Sequence, residues 1–310
     1  MNPRKIVVIG SSNTDMVIKS ERLPSPGETV LGGTFLMNPG GKGANQAVAA
    51  ARLGGDVTFV CKTGNDLFAQ RAEEGYRREG IDTAFVLQSA DAPSGVALIT
   101  VDAEGENCIV VAPGANDTLS PADIEQARGV IEAADLLIMQ LEIPLETVLA
   151  AARIAHEAGA RVLLNPAPAP ERPLPGELLA LVDLLIPNRT EAELLSGVGI
   201  AGWEDAERAA ARLHECGVGS VLITLGSRGA LCFDGERAVR IAPCPVKSVD
   251  STGAGDTFCG ALCVALSEGC DLVSAARFAS FVASISVTRI GAQNAIPYRA
   301  EVDRALAAQS

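Results

Sequence analysis

The chain has 310 residues, 48% of them hydrophobic and 20% charged, which excludes a disordered segment and leaves ample length for a large α/β core. A formal charge of −13 argues against nucleic acid or an anionic membrane as the main partner, though not against a phosphorylated small molecule held at a local site. The only apolar run near the start, Ile6–Ile9, is too short for a signal-peptide core, and no later run reaches transmembrane length. With eight scattered cysteines read as reduced, the expected location is the cytoplasm. There are two histidines, His156 and His214, each within an amphipathic helical pattern, so a carboxylate is the expected general base.

In chain order, Lys5–Ile9 reads as a strand ending at Gly10. Asn13 and Asp15 lie in the polar turn beyond it, where ligands of open α/β sheets collect, although such residues are equally ordinary in turns. Met16–Ile18 and Thr29–Leu31 read as short strands. In N-P-G-G-K-G-A-N-Q-A, Asn38–Ala47, three glycines within four positions permit close backbone approach, and a helix is expected over 44–53. Lys42 and Asn45 there suit a polyhydroxyl ligand or a phosphate; Gly43 after Lys42 rules out a Walker A loop. A strand at Val57–Cys61, a helix at Asp66–Glu79 and a hairpin of Gly95–Val101 with Asn107–Val111 follow. The hairpin and the early short strands are expected to form a small separate sheet.

From Pro121 the pattern is regular. Helices over 121–132, 145–158, 176–181 and 204–216 alternate with strands over 136–140, 162–165, 184–186 and 220–224, predicting a parallel sheet covered on both faces. Glu142, Asn165, Asn188 and Thr224 fall at or just past strand ends. N-R-T-E, Asn188–Glu191, opens a helix, so capping competes with ligand binding as its purpose. T-L-G-S-R-G, Thr224–Gly229, either receives nucleotide phosphates or turns the chain into a second hairpin, Ala230–Phe233 with Ala238–Ile241. Then comes V-D-S-T-G-A-G-D-T-F-C-G-A, Val249–Ala261, a glycine turn running into a helix with apolar positions at Phe258, Ala261, Leu262, Ala265 and Leu266. The free N–H groups at such a helix start form an anion site. Asp256 beside it can accept a proton from a hydroxyl while those amides hold charge on a transferring phosphoryl group. An aspartate favoured electrostatically near a helix N-terminus is the plainer alternative. Cys259 and Cys263 share a helical face and read as small core residues. A last long helix is expected over 271–287, ending in R-I-G-A-Q-N-A.

Taken together, G-G-K-G-A-N-Q-A-V-A, N-P-A-P, N-R-T-E, T-L-G-S-R-G and D-S-T-G-A-G-D occur in the order found in the ribokinase-like, phosphofructokinase-B type sugar kinases, which the chain resembles from Ile6 to about Pro297. The resemblance implies one kinase domain over 1–310 with a three-layer α/β fold: a mostly parallel central sheet with helices on both faces, and a β lid from about 14–36 and 94–111. It implies ATP with Mg²⁺ as donor and the primary 5-hydroxyl of ribose as acceptor, with K⁺ as activator and a homodimer formed through the lid. By matching position, Asn13, Thr14, Asp15, Gly41, Lys42, Gly43, Ala44, Asn45 and Glu142 would hold the sugar. Asp256 would be the base, with the amides of Gly253, Ala254 and Gly255 as the anion hole. Asn188, Thr224, Leu225, Gly226, Ser227, Arg228, Gly229, Gly255, Asp256 and Ser280 would meet ATP, and Glu191 would reach Mg²⁺ through water. Asp250, Thr252, Ser286, Arg289, Gly291 and Ala295 match the potassium loops.

Two positions depart from the family pattern: Ser280, where a larger polar residue often lies near adenine, and Ala295, where a serine often offers an oxygen. Other acceptors within the same fold are 2-deoxyribose, fructose or a nucleoside, and a non-catalytic sugar-binding relative is a further alternative. A nucleoside base calls for an aromatic lining, and the lid stretches carry only Phe35.

Overall fold

Side chains alternate along Lys5–Ile9 (β1), and that alternation divides the interior in two. Ile6 and Val8 enter one apolar core, Val7 and Ile9 another on the opposite face, as the two-residue period of a strand requires. A strand apolar on both faces needs cover on both sides. The computed structural model describes residues 4–170 and 172–308; the outer ends of the expected domain and Glu171 lie outside the described residues. Next in the chain are β2 (Asn13–Lys19), β3 (Thr34–Gly40), α1 (Lys42–Arg52), β4 (Asp56–Thr63), α2 (Leu67–Arg78), β5 (Asp82–Gln88), β6 (Gly95–Val101) and β7 (Asn107–Ala112). The alternating part holds α3 (Pro121–Gln126), α4 (Arg128–Glu132), β8 (Leu136–Met139), α5 (Leu145–Glu157), β9 (Arg161–Leu164), α6 (Gly176–Ala180), β10 (Leu184–Leu185), α7 (Arg189–Ser196), α8 (Trp203–Glu215) and β11 (Ser220–Thr224). Then come β12 (Ala230–Phe233), β13 (Ala238–Ile241), α9 (Ala254–Ser267), α10 (Leu272–Ser286) and α11 (Arg299–Ala307).

The main sheet has the order β13-β12-β11-β10-β9-β8-β1-β4-β5, parallel except at the β11–β12–β13 edge. The core with Ile6 and Val8 takes in α1, α9 and α10; the core with Val7 and Ile9 takes in α5 and α8. The second sheet, β3-β2-β6-β7, stands apart, as the small separate sheet expected from the sequence. Among the described residues no helix is long and apolar enough to cross a membrane.

Four local expectations differ from the structure. Asn13 and Asp15, expected in a polar turn, instead open β2, because Asn13–Lys19 is paired on both sides, with β3 and β6. Thr29–Leu31 forms no strand; β2 pairs instead with Thr34–Gly40, so the N-P-G stretch is extended and turns only at Gly41. Pro39 is tolerated because β3 is an edge strand. Asp82–Gln88, not singled out from the sequence, is the other edge of the main sheet, paired with β4 alone. The helix expected over 121–132 breaks at Ala127, whose N–H closes a tighter turn on Ile124 O at 3.0 Å.

The contact that matters most for the site is between α1 and α9. A Cβ at Gly260 would lie 2.5 Å from Ala49 Cβ and 2.7 Å from Gln46 O. Only hydrogen at position 260 lets the helices approach this closely, one turn below the N-terminal residues they bring together.

Candidate active site

The turn into α9 depends on Gly253, whose φ of 71° lies in the left-handed region that side chains resist. Asp256, in the first turn, is buried. Its Oδ2 accepts from Asn45 Nδ2 at 2.9 Å and its Oδ1 from Gln46 Nε2 at 3.1 Å. Burial pushes the Asp256 pKa up, against the opposing pull of Lys42, Asn45 and Gln46. The expected trio of amides is not equivalent. Ala254 N–H donates back to Ser251 O at 3.1 Å, while those of Gly253 and Gly255 have no protein acceptor among the described residues.

Asp256 opens onto a cavity of about 230 Å³ lined also by Lys42, Asn165, Asn188, Glu191 and Thr224. The site lies past the carboxyl ends of β9, β10 and β11, where parallel sheets receive ligands. Asn188 and Glu191 form a full capping box: Asn188 Oδ1 accepts from Glu191 N at 2.9 Å, and the Glu191 carboxylate accepts from Asn188 N and Nδ2, both at 2.8 Å. Burial raises the Glu191 pKa, with Asn188 and Lys42 opposing. Burial works against the Lys42 ammonium, but Asp256, Glu142 and Glu191 outweigh it and raise its pKa. Of T-L-G-S-R-G only Thr224 lines this cavity. Leu225 is buried and donates to Gly229 O at 2.8 Å, Gly226 and Ser227 are exposed, and Arg228 Nη1 donates to Ala201 O at 2.8 Å. Ser280, on α10, is half-buried and does not line it.

On the other side of Asp256, strand alternation puts Asn13 and Asp15 on one face of β2 and Thr14 on the opposite face. Gly41 turns the chain at φ 89°, and a Cβ there would lie 2.8 Å from Asn13 N. This close passage seats Gly43 and Ala44 against the exit of β1, where Ala44 N–H donates to Ser11 O at 2.9 Å. Glu142 ties the same junction, accepting from Ser11 Oγ and from the main-chain N–H of Lys42 at 3.0 Å. Asn13 Oδ1 accepts from Asn116 Nδ2 at 2.8 Å, and Asn116 Oδ1 accepts from Ser12 N at 2.8 Å. Asn116 was not legible in the sequence; in G-A-N-D-T it looks like any turn residue, and only its burial marks it. The Asp15 carboxyl is pushed up to about 6, by burial first and then by Glu142 and Asp256, with Lys42 opposing.

Of the remaining expected residues, Asp250, Thr252 and Gly291 meet behind the α9 turn. Asp250 Oδ1 accepts from Thr252 N at 2.9 Å and Oγ1 at 2.7 Å, and Oδ2 accepts from Gly291 N at 2.9 Å. Val249 N–H donates to Val287 O at 2.7 Å. Partial burial works against the Asp250 charge, but Thr252 and Gly291 hold its pKa below the ordinary value. Arg289 pairs with Glu301, Ser286 Oγ donates to Ala283 O at 2.9 Å, and Ala295 is buried. Among the described residues, no three His, Cys, Asp or Glu side chains gather as a metal site.

The pfkB family carbohydrate kinase profile matches residues 3–299. The chain belongs to the pfkB family of carbohydrate kinases. Ribokinase of Haemophilus influenzae is 43% identical over 298 residues, covering 96% of this chain and 97% of that protein. Deoxyribokinase of Salmonella typhi is 37% identical over 292 residues, 94% and 95% of the two chains. The structure of Arabidopsis thaliana ribokinase complexed with ribose and ATP matches with a TM-score of 0.92 at 34% identity, over 99% of both chains. As a pfkB carbohydrate kinase, the protein transfers a phosphoryl group to a sugar hydroxyl, and the expected fold of that family is the one observed.

The raised pKa of Asp15 has a measurable consequence. Its folded value exceeds the unfolded one near 4, so between about 4 and 6 the native chain holds a proton that the unfolded chain releases. Stability therefore falls as pH rises through that window. Asp15→Asn is expected to be more stable than the parent by roughly 1–2 kcal/mol at about pH 8, after discounting for partial exposure, with the advantage shrinking at about pH 5. Urea unfolding at both pH values checks this; an equal difference at both would mean that the Asp15 charge is not the cause.

Proposed function

We propose that the chain is an ATP-dependent ribose kinase that phosphorylates the 5-hydroxyl of ribose, a single kinase domain whose small sheet serves as a lid. The observation carrying this reading is that two sets of groups meet at one buried carboxylate. Asn13, Asp15 and Asn45 supply hydrogen-bonding groups suited to a neutral polyol, while Lys42, Asn188 and Thr224 line the adjoining cavity with Asp256. In this reading Asp256 takes the proton from the sugar hydroxyl, the Gly253 and Gly255 amides hold charge on the transferring group, and Lys42 lies where that charge develops. Asn45 presents the sugar as well as the base, and Glu142 holds the loop that presents Lys42. Thr224 to Gly229, with Ser280 farther out, flank the nucleotide.

Mg²⁺ carried with ATP would supply positive charge against the phosphates. Glu191 fits a role in holding it through water, because the carboxylate lines the cavity and its two capping bonds leave further lone pairs. The eight cysteines are all unpaired, in keeping with a reduced cytoplasmic setting. Similarity to deoxyribokinase supports 2-deoxyribose as the second choice of acceptor.

ADP release across ribose, 2-deoxyribose, fructose and nucleosides tests the acceptor, with ribose expected to give the highest kcat/KM. Asp256→Asn keeps the size of the side chain and removes the proton acceptor; turnover should fall roughly 10²–10⁴-fold. Near-parental turnover in that variant would remove Asp256 from the role of base.

We further propose that K⁺ binds behind the α9 turn. The donors fit a large monovalent ion: Asp250 supplies charge, and the carbonyls of Thr252, Ser286, Arg289 and Gly291 lie on the two segments that Asp250 joins. Ala295 offers no hydroxyl, so activation at elevated K⁺ concentration is expected. Rates compared in K⁺, Na⁺ and a bulky organic cation at constant ionic strength should be highest in K⁺, and identical rates in all three would overturn the assignment.

The homodimer reading rests on the face of the small sheet opposite Asp15. There Ile18 opposes Phe35, and Met37 and Leu98 both oppose Met16 from either side. Phe35 and Leu98 are each 56% exposed, a large apolar area to leave in water. Light scattering should give twice the chain mass for the parent and a monomer for Leu98→Glu; a monomeric parent at micromolar concentration would end this reading.

A further inference from the structure

Asp256 is joined to a chain of buried carboxamides, of which Gln46, Gln140 and Gln293 lie outside the cavity lining and have no role assigned above. Gln140 Nε2 donates to Gln46 Oε1 at 2.7 Å. Gln46 Nε2 donates to Asp256 Oδ1 at 3.1 Å and to Asn165 Oδ1 at 3.0 Å. Asn165 Nδ2 donates to Ile186 O at 2.8 Å. From the other side, Gln293 Nε2 donates to Asn45 Oδ1 at 3.1 Å, and Asn45 Nδ2 to Asp256 Oδ2 at 2.9 Å. Gln46 and Gln140 are both fully buried.

The direction of this chain is determined. An amide oxygen only accepts and its nitrogen only donates. Ile186 O must receive a donor, which turns the Asn165 oxygen toward Gln46. That oxygen and the Asp256 carboxylate both need donors, so Gln46 presents its nitrogen to them and its oxygen to Gln140. Gln140 then turns its nitrogen inward, leaving its own oxygen buried without a partner among the described residues. Reversing Gln140 would satisfy nothing, because it would set oxygen against oxygen. A side chain at Gly10 has no room, since its Cβ would lie 2.1 Å from Gln140 Oε1. Gln140 thus keeps its nitrogen on Gln46, and that bond secures one orientation of Gln46.

We propose that Gln46, held by Gln140 and Asn165, is a positioning residue for phosphoryl transfer: it fixes the plane of the Asp256 carboxylate and leaves its remaining lone pairs facing the sugar hydroxyl. The inference rests on Asp256 being the base. Asn45 and Gln46 are consecutive on α1 and grip one oxygen each, so the carboxylate cannot turn about its own bond without breaking one of the two. Their duties differ. Asn45 is expected to touch the sugar, whereas Gln46 is sealed from it. The titratable groups around Asp256 are Lys42, Asp15, Glu142, Glu191 and the Cys259 thiol, and Gln46 hydrogen-bonds none of them.

Gln46→Met removes the amide at nearly constant size. The expected result is a fall in kcat of roughly tenfold or more, the cost of a misplaced reacting group, with KM for ribose and ATP within about twofold of the parent. The acidic limb of the kcat profile should move to higher pH, because burial of Asp256 is then opposed by one donor fewer. Gln140→Met, which removes the holder of Gln46 together with the unpaired oxygen, should shift both in the same direction by less, and it decides the matter if Gln46→Met does not fold. Parental kcat and limb overturn the proposal, as does a kcat loss with an unmoved limb or with a matching rise in KM, either of which reads as general loosening. The two readings fail separately: an active Asp256→Asn removes both, whereas an inactive Asp256→Asn beside a parental Gln46→Met removes only this one.

Discussion

A carboxylate taken out of water is stable only where donors and a cation replace the water it loses, and for Asp256 the donors come from a different helix. Asn45 and Gln46 reach it from α1, and Lys42 supplies the charge from the same turn. That arrangement needs the two helices nearly in contact, which Gly260 permits against Ala49. It also needs both helices to start abruptly, which the positive φ of Gly41 and Gly253 allows. The two glycine-rich motifs, 210 residues apart where Gln46 meets Asp256, are thus halves of one device. Neither makes chemical sense without the other.

Charge around the site follows the same logic. Asp15, Asp256 and Glu191 lie around Lys42, and burial first raises the pKa of each; Asp256 adds to the rise at Asp15 and Glu191, and the charge of Glu142 adds to it at Asp15 and Asp256, while Lys42 opposes all three. A neutral sugar enters such a cluster without adding charge. A nucleotide does not, and a chain of net charge −13 must meet its phosphates with local groups alone. The open amides at the start of α9, the Lys42 ammonium and whatever cation accompanies the nucleotide are the terms of the right sign.

Legibility in the sequence tracked the range of the interactions. The capping box of Asn188 and Glu191, the G-A-G-D turn and the alternation after Pro121 are set by neighbours a few residues away, and they stand where the pattern put them. β3 was misplaced because Gly and Pro suggest a loop until Asp15 opposite Asn38 is seen to hold the stretch extended. Asp82–Gln88 is an edge strand with a single partner, and nothing in its own residues marks that. Asn116, Gln140 and Gln293 act over 94 to 248 residues, beyond any window of local pattern. Gln46 stood in view within G-G-K-G-A-N-Q-A, but its target did not.

Capping and ligand binding were set as alternatives for Asn188 and Glu191, and the structure removes the opposition. Each oxygen of Glu191 accepts a bond from Asn188, yet the carboxylate still lines the cavity, so one geometry serves the helix and remains available to a ligand. The same holds for Glu142, whose bonds to Ser11 and the Lys42 main chain are structural while its charge acts on Lys42 and Asp15. Polar groups already fixed by the fold need little reorganisation when a substrate arrives, which is where electrostatic catalysis gains its strength. A residue that caps a helix at the rim of a cavity is therefore a better candidate for function than one left free, because a free side chain must be ordered at the moment it is used.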